Sequence, residues 1–347
     1  MWEIPLFIYL IMIMKTGVIK QVVGIDISKD DFQVCFSVLT DNLDVKIRAS
    51  RKFKNTQDGF DSFCDWFSSK QTADLPIAFT MEATGVYYEG LAYFLYNKGF
   101  TVHVILPNQV KKYGQSLGVK SKTDSIDAAV LARMGLERKL SPWKPFSPNL
   151  QLLKQLCRER DRLIAERTTI KNHLHSYSHQ GVLPKDSIKR CQKQIAFLNK
   201  LLTQVEKQIE GVVQKDTALH QRLKHVQTIK GVAFWTAIII ISETNGFATF
   251  HSIKQLTSYA GLDIRIAESG KWKGKSKISK QGNSYIRKAL YFPAFCMAKH
   301  DPHTQQYYQK LRLKKGVTMI AAVAVQRKIL ALIYTLWKKQ EDFKPQM

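Results

Sequence analysis

Hydrophobic and polar positions change period along the chain, and the changes divide it. Residues 22–27 form a short apolar run interrupted only by Asp26. The polar turn Ser28-Lys29-Asp30-Asp31 follows, and alternation resumes over 32–39, so these two runs predict a β-hairpin. A third strand is expected over 45–53. Phe60, Phe63, Trp66 and Phe67 have helical spacing within 58–69. A buried-type strand over 76–81, a helix over 87–98 and a strand over 101–106, stopped by Pro107, come next. The last element of this half is a helix over 123–138 with Thr123 or Asp124 at its N-cap. Strands and helices in this order predict an α/β domain over 21–145, a mixed sheet flanked by helices.

Three prolines within 141–148 mark a linker. Beyond it the period becomes helical and the sequence highly charged. Leu152, Leu156, Leu163 and Ile170 recur on one side of the break at 181–184, and Ile195, Leu198, Leu202, Val205 and Ile209 on the other. Residues 150–215 are therefore expected to form two long antiparallel helices or a dimerising coiled coil. A mainly α C-terminal domain is expected over 220–340. Within it Ile229-Lys230-Gly231-Val232 leads into an apolar run, which reads either as a helix-hairpin-helix-like element offering backbone N–H groups to a phosphate or as a buried helix after a glycine turn. A further helix is expected over 250–261.

Charge sharpens this division. The chain of 347 residues has a net charge of +25, and it is unevenly spread. Residues 1–150 hold 18 basic and 15 acidic side chains, whereas residues 151–347 hold 35 and 13. A folded polycation of this kind calls for a polyanionic partner, of which nucleic acid is the commonest; an anionic membrane surface or a ribosomal role is the alternative. The five cysteines, at 35, 64, 157, 191 and 296, show no CxxC or zinc-ligand spacing and read as free thiols of a reducing cytoplasm. The apolar stretch 1–14 is too short to span a bilayer and has no signal-peptide layout. It fits a short anchor or an extension from an early start codon upstream of Met12 or Met14. The second is the expectation, so residues 1–20 are set apart from the fold and no stable membrane association is expected.

Candidate chemistry comes from four carboxylates. Asp26 lies at the end of the first strand and Glu82 at the end of a later buried strand; Asp124 and Asp127 share one helix face at i, i+3 spacing. A carboxylate ending an apolar strand is costly unless solvated, paired or bound to a cation. Several converging carboxylates suit a hard divalent ion, and two such ions can serve phosphoryl transfer. Taken singly, each has a plain structural reading, Asp26 as a turn former and Asp124 as an N-cap.

Three blocks carry a resemblance. Val23-Gly24-Ile25-Asp26-Ile27-Ser28-Lys29, Met81-Glu82-Ala83-Thr84-Gly85 and Lys122-Thr123-Asp124-Ser125-Ile126-Asp127-Ala128 closely resemble those of the DEDD transposases of the one-hundred-and-ten group of bacterial insertion sequences, relatives of the Piv-type invertases. The resemblance extends from about Val22 to Leu336. It implies a RuvC-like N-terminal domain of the RNase H fold, in which Asp26, Glu82, Asp124 and Asp127 bind Mg²⁺ (or Mn²⁺). It implies Mg-dependent DNA strand cleavage and exchange, guided by a structured bridge RNA and carried out by a homodimer or homotetramer in the bacterial cytoplasm, at the nucleoid.

The C-terminal blocks Tyr259-Ala260-Gly261-Leu262, Glu268-Ser269-Gly270, Ile278-Ser279-Lys280-x-Gly282-Asn283 and Ile286-Arg287-Lys288-Ala289-Leu290 resemble that family's transposase domain. The resemblance maps its nucleophilic serine, which forms a phosphoserine link to DNA, onto Ser269, with Ser276 and Ser279 as alternatives. Where the family usually has a proline after the Gly-Leu pair, Asp263-Ile264-Arg265 stands here, which loosens the alignment locally. Lys271, Lys273, Lys275 and Lys277 fall at every second position. In an extended segment they would share one face and follow a phosphodiester backbone, or form a solvated edge. Lys280, Arg287 and Lys288 join this basic set, no acid occurs over 271–299, and Trp272 could stack on a base or pack. Two rival functions use fewer of these features. A Holliday-junction nuclease using water needs the carboxylates but not Ser269, and a non-catalytic nucleic-acid binder needs only the basic face.

Overall fold

A computed structural model describes residues 17–72, 75–119, 121–182, 184–265, 268–269, 272–274 and 277–344, with only the backbone described at Trp272 and Lys273. The apolar stretch 1–14 lies outside them. The chain divides into two compact units, Met1–Pro145 and Phe146–Met347, each taken by itself.

The first unit is an α/β mixed sheet with helices on its two faces. Its elements are β1 (Val18–Ile27), β2 (Asp31–Thr40), β3 (Val45–Lys54), α1 (Gln57–Ser68), β4 (Ile77–Glu82), α2 (Glu89–Asn97), β5 (Thr101–Ile105), α3 (Pro107–Ser116) and α4 (Asp124–Glu137). The sheet order is β3-β2-β1-β4-β5. The first three strands are antiparallel, and β4 and β5 run parallel to β1. β1 begins four positions before the apolar run alone indicates, because Val18 is buried and pairs with Thr40. α3 is an element that periodicity did not predict. Its sequence is polar, and the signal for it is Pro107 at the first helical turn, read above only as a stop for the preceding strand.

The two faces of β1 pack differently. Val23, Ile25 and Ile27 join an aromatic core with Phe32, Phe53, Phe63, Phe67 and Phe79, all buried. The opposite face is built for close approach. A β-carbon on Gly24 would sit 2.1 Å from the Ala128 carbonyl oxygen and 2.2 Å from the Ala132 nitrogen. One on Gly135 would sit 2.4 Å from the Thr80 hydroxyl and 2.7 Å from Val22. Glycine at both places lets α4 lie directly on β1 and β4, with Ala128 and Ala132 fully buried beneath it.

The second unit is mainly helical. α5 (Pro148–Ser178) and α6 (Lys185–Lys215) lie antiparallel, in a register fixed by Arg160 with Glu206 and Arg167 with Asn199. α7 (Thr217–Gln227) and α8 (Phe234–Glu243) are joined by a turn in which Gly231 has φ 86°. α9 (Ile253–Tyr259) starts later than the pattern predicts because Ser252 caps it through the Gln255 N–H. Short strands follow: β6 (Ile264–Arg265) pairs with β9 (Lys277–Ile278), and β7 (Glu268–Ser269) with β8 (Trp272–Lys273). The chain ends in α10 (Ser284–Ala289), α11 (Tyr291–His300), α12 (Pro302–Lys315) and α13 (Thr318–Lys339). α13 is long and apolar enough to cross a membrane. Its face of Ala321, Val325, Ile329, Leu330 and Ile333 is buried in the core of this unit.

Candidate active site

The seat of α4 on the sheet determines where the four carboxylates lie. Side chains alternate along a strand, so Asp26 follows Val22 and Gly24 onto the face that α4 covers. Glu82 follows Thr80 onto the same face of β4. Ile25 pairs with Met81 in parallel register, so Asp26 and Glu82 end neighbouring strands side by side. α4 begins here, capped by the Thr123 hydroxyl accepting from the Ile126 N–H, with Asp124 and Asp127 in its first turn. Thr123 is therefore the N-cap, which leaves Asp124 free of that role.

Electrostatics shows that the carboxylates sense one another. Burial, then the charges of Asp127, Asp124 and Glu82, push the Asp26 carboxyl up to about 6, against a pull down from Lys122. Burial also raises Glu82; the Thr84 hydroxyl and Lys122 oppose this, and Asp127 adds to it. Like charges at a strand end, with no hydrogen-bond donor satisfying Asp26 among the described residues, are what a divalent cation relieves. The donors are all hard oxygens, so the set fits an ion of the Mg²⁺ class in chemistry. Among the described residues no three such side chains converge closely enough to hold an ion, so loading would require them to draw together.

Two lysines belong to this site that sequence reasoning did not single out as site residues. Lys52 of β3 bridges Asp31 at 3.2 Å and Asp124 at 3.7 Å. Lys122 acts on both Asp26 and Glu82. Lys122 stands within a block read for its acids, and Lys52 reaches the site only through the sheet pairing. Asn55 adds a clasp: its amide donates to the carbonyls of Ser28 and Tyr87, tying the loops that follow β1 and β4.

The residues singled out in the second unit divide three ways. Ser269 is exposed and sits opposite Trp272 in the β7–β8 ladder. Ser279 donates to Asp263, and Ser276, Lys271 and Lys275 lie outside the described residues. Lys273 and Lys277 lie on extended backbone, and Lys277 and Lys280 are exposed. Arg287 donates to the carbonyls of Ala260 and Gly282, and Lys288 pairs with Asp161, so both already hold protein partners.

Comparison with known proteins covers both units. A DEDD transposase family model matches residues 23–180, and a model described as the transposase IS116/IS110/IS902 family matches 223–309. The pilin gene-inverting protein of Moraxella lacunata is 29% identical over 333 residues, covering 93% of this chain and 98% of that protein. The transposase for insertion sequence element IS1111A of Coxiella burnetii is 24% identical over 352 residues, covering 93% of this chain and 91% of that protein. Among solved structures, Thermus thermophilus RuvC aligns with a TM-score of 0.27 at 14% identity, over 35% of this chain and 99% of that one.

Proposed function

We propose, for a chain that belongs to the IS110 family of DEDD transposases and is thus a DNA recombinase, that Asp26, Glu82, Asp124 and Asp127 form its divalent-cation site and Ser269 its nucleophile. The observation that carries the first part is the mutual effect of the carboxylates: Asp26 is raised by all three of the others. The cation is Mg²⁺, with Mn²⁺ as a substitute, and when bound it supplies Lewis-acid stabilisation of charge on the phosphoryl oxygens. The carboxylates would hold it, and Lys52 and Lys122 would limit repulsion between this acidic site and a phosphodiester.

In this reading the Ser269 Oγ attacks a DNA phosphorus. A serine–phosphorus ester forms, one P–O bond of the DNA backbone breaks, and the departing sugar oxygen gains a proton. The bond energy stays in the phosphoserine, so rejoining to a new strand needs no nucleotide cofactor. Exposure of Ser269 supports this role. The basic second unit supports binding of DNA and of a structured guide RNA, and the long helices offer a surface for a dimer or tetramer. The site of action is the bacterial cytoplasm, at the nucleoid.

The test is adduct trapping. Protein is incubated with Mg²⁺, donor and target DNA and the element's flanking RNA, then resolved under denaturing conditions. A protein–DNA adduct lost in Ser269→Ala is expected. Cleavage without an adduct, unchanged in Ser269→Ala, would replace this reading with a nuclease that uses water.

A further inference from the structure

The second unit holds a groove of about 330 Å³ that lies outside the carboxylates and the serine. Tyr291, Phe292, Met319, Val323 and Ile278 line it, with the stems of Arg287 and Lys288, whose charged ends are engaged elsewhere. Two features separate it from an ordinary surface crease. Phe292 is 78% exposed, and Tyr291 and Met319 beside it are 38% and 44% exposed. The Phe292 ring stands at 87° to that of Tyr291, 5.2 Å away, so it keeps a face open to solvent instead of stacking on its neighbour. Gln326 is also in the lining: the residue is only 4% exposed, and no hydrogen bond ties its amide to any of the described residues. The amide lies in the lining, with its donor and acceptor available to a molecule in the groove.

We propose that this groove receives an unstacked base of a DNA strand, with Phe292 as the stacking surface and the Gln326 amide reading the base edge. The shape calls for a flat apolar body, and the single amide calls for an adjacent donor and acceptor on that body. A glutamine amide pairs in this way with the N6 and N7 positions of adenine. Charge selects the source. The groove lies in the half of the chain with 35 basic and 13 acidic residues, and Ile278 in its wall adjoins the exposed Lys277. An aromatic face set in a positive field is how single strands are held. Strand exchange unpairs bases, so a recombinase has unstacked ones to accommodate. The inference rests on the recombinase reading for its DNA and on neither Ser269 nor the cation.

The test uses the full chain and short oligo(dA), oligo(dT) and oligo(rA), with 2-aminopurine as the stacking reporter. Phe292→Ala is expected to weaken oligo(dA) binding about tenfold and to abolish 2-aminopurine quenching, with the salt dependence unchanged, while Phe292→Trp retains both. Gln326→Met, which keeps the volume, should remove a preference for oligo(dA) over oligo(dT). The inference is overturned if the parent chain binds these strands and Phe292→Ala leaves affinity and quenching as they were; DNA binding by the protein then stands without the groove. A parent that binds none of these strands overturns the groove inference and leaves the recombinase reading to the adduct-trapping test. Phe292-dependent binding confined to oligo(rA) would assign the groove to RNA, and a Phe292→Ala chain that changes only its oligomeric state would assign it to a second copy.

Discussion

Asp26→Asn should make the cation-free protein more stable at neutral pH while removing its activity. The carboxyl is held near 6 against an ordinary value of 3.8. Such a difference means that ionising Asp26 in the folded chain costs roughly 3 kcal/mol more than in the unfolded one. The side chain keeps some access to solvent, so we halve this to about 1.5 kcal/mol. The sign follows from linkage. A group raised on folding contributes its stability below its unfolded value and loses it as pH rises through its folded value. Parent and variant should therefore be nearly equal at pH 4, diverge as pH rises through about 6, and differ by about 1.5 kcal/mol at pH 7.5. With a urea slope of about 2 kcal/mol per molar, that is a midpoint shift of roughly 0.7 M.

The assay is a urea titration of chelator-treated protein, read by hydrogen exchange of peptides from β1 and β4, which follows the first unit separately from the second. Added Mg²⁺ should then restore stability to the parent but not to the variant, since only a bound ion offsets the repulsion. A variant no more stable than the parent at pH 7.5, or one equally advantaged at pH 4, would refute the argument that burial and the neighbouring carboxylates together make an ionised Asp26 costly in the folded chain. An equal gain from Mg²⁺ in both proteins would remove Asp26 from the cation site.

Two further outcomes follow from the same geometry. Asp127→Asn should lower the Asp26 value from about 6 without restoring it to 3.8, because burial, the largest cause, remains; carbon-detected NMR titration of the carboxyl measures this. Gly24→Ala should destabilise the first unit by about 3 kcal/mol in urea unfolding, since the new carbon lands 2.1 Å from a backbone oxygen of α4 that cannot swing aside.

The first unit was more legible in the sequence than the second. Its strands alternate or run apolar, and its strand-end acids stand out from their surroundings, so Asp26 and Glu82 could be named from pattern alone. Pattern could not give their placement on the sheet face under the first turn of α4, where Asp124 and Asp127 act on Asp26. That depends on Gly24 and Gly135, whose absent side chains leave no periodic trace. Lys52 escaped notice because only the β2–β3 register brings it near Asp31 and Asp124. The second unit's long helices were visible through their leucine spacing. Its short strands were not, for two-residue ladders carry no period. Of the basic set, Arg287 and Lys288 show how a charge run hides different roles, one bonded to carbonyls and the other to Asp161.

The segment that bears Ser269 is held at its base by partners that are mostly distant in sequence. Glu243 is 1% exposed, and both of its oxygens are satisfied, by Arg158 at 2.7 and 2.9 Å and by Asn283 at 2.7 Å. Such a buried carboxylate adds little net stability but tolerates few alternative arrangements. Asn283 also caps α10, and its N–H meets the Tyr259 carbonyl at 2.7 Å. Gly282 beside it has no room for a side chain, whose first carbon would lie 2.3 Å from that same carbonyl. The Tyr259-Ala260-Gly261-Leu262 and Ser279-to-Asn283 blocks are thus two sides of one clamp, continued outward by Ser279 on Asp263 and by the β6–β9 pair. Beyond the clamp, Ser269 lies on an exposed two-residue strand. A rigid base with an exposed strand fits the nucleophile role proposed for Ser269: the clamp fixes where the segment leaves the core, and exposure would leave the hydroxyl open to a phosphate.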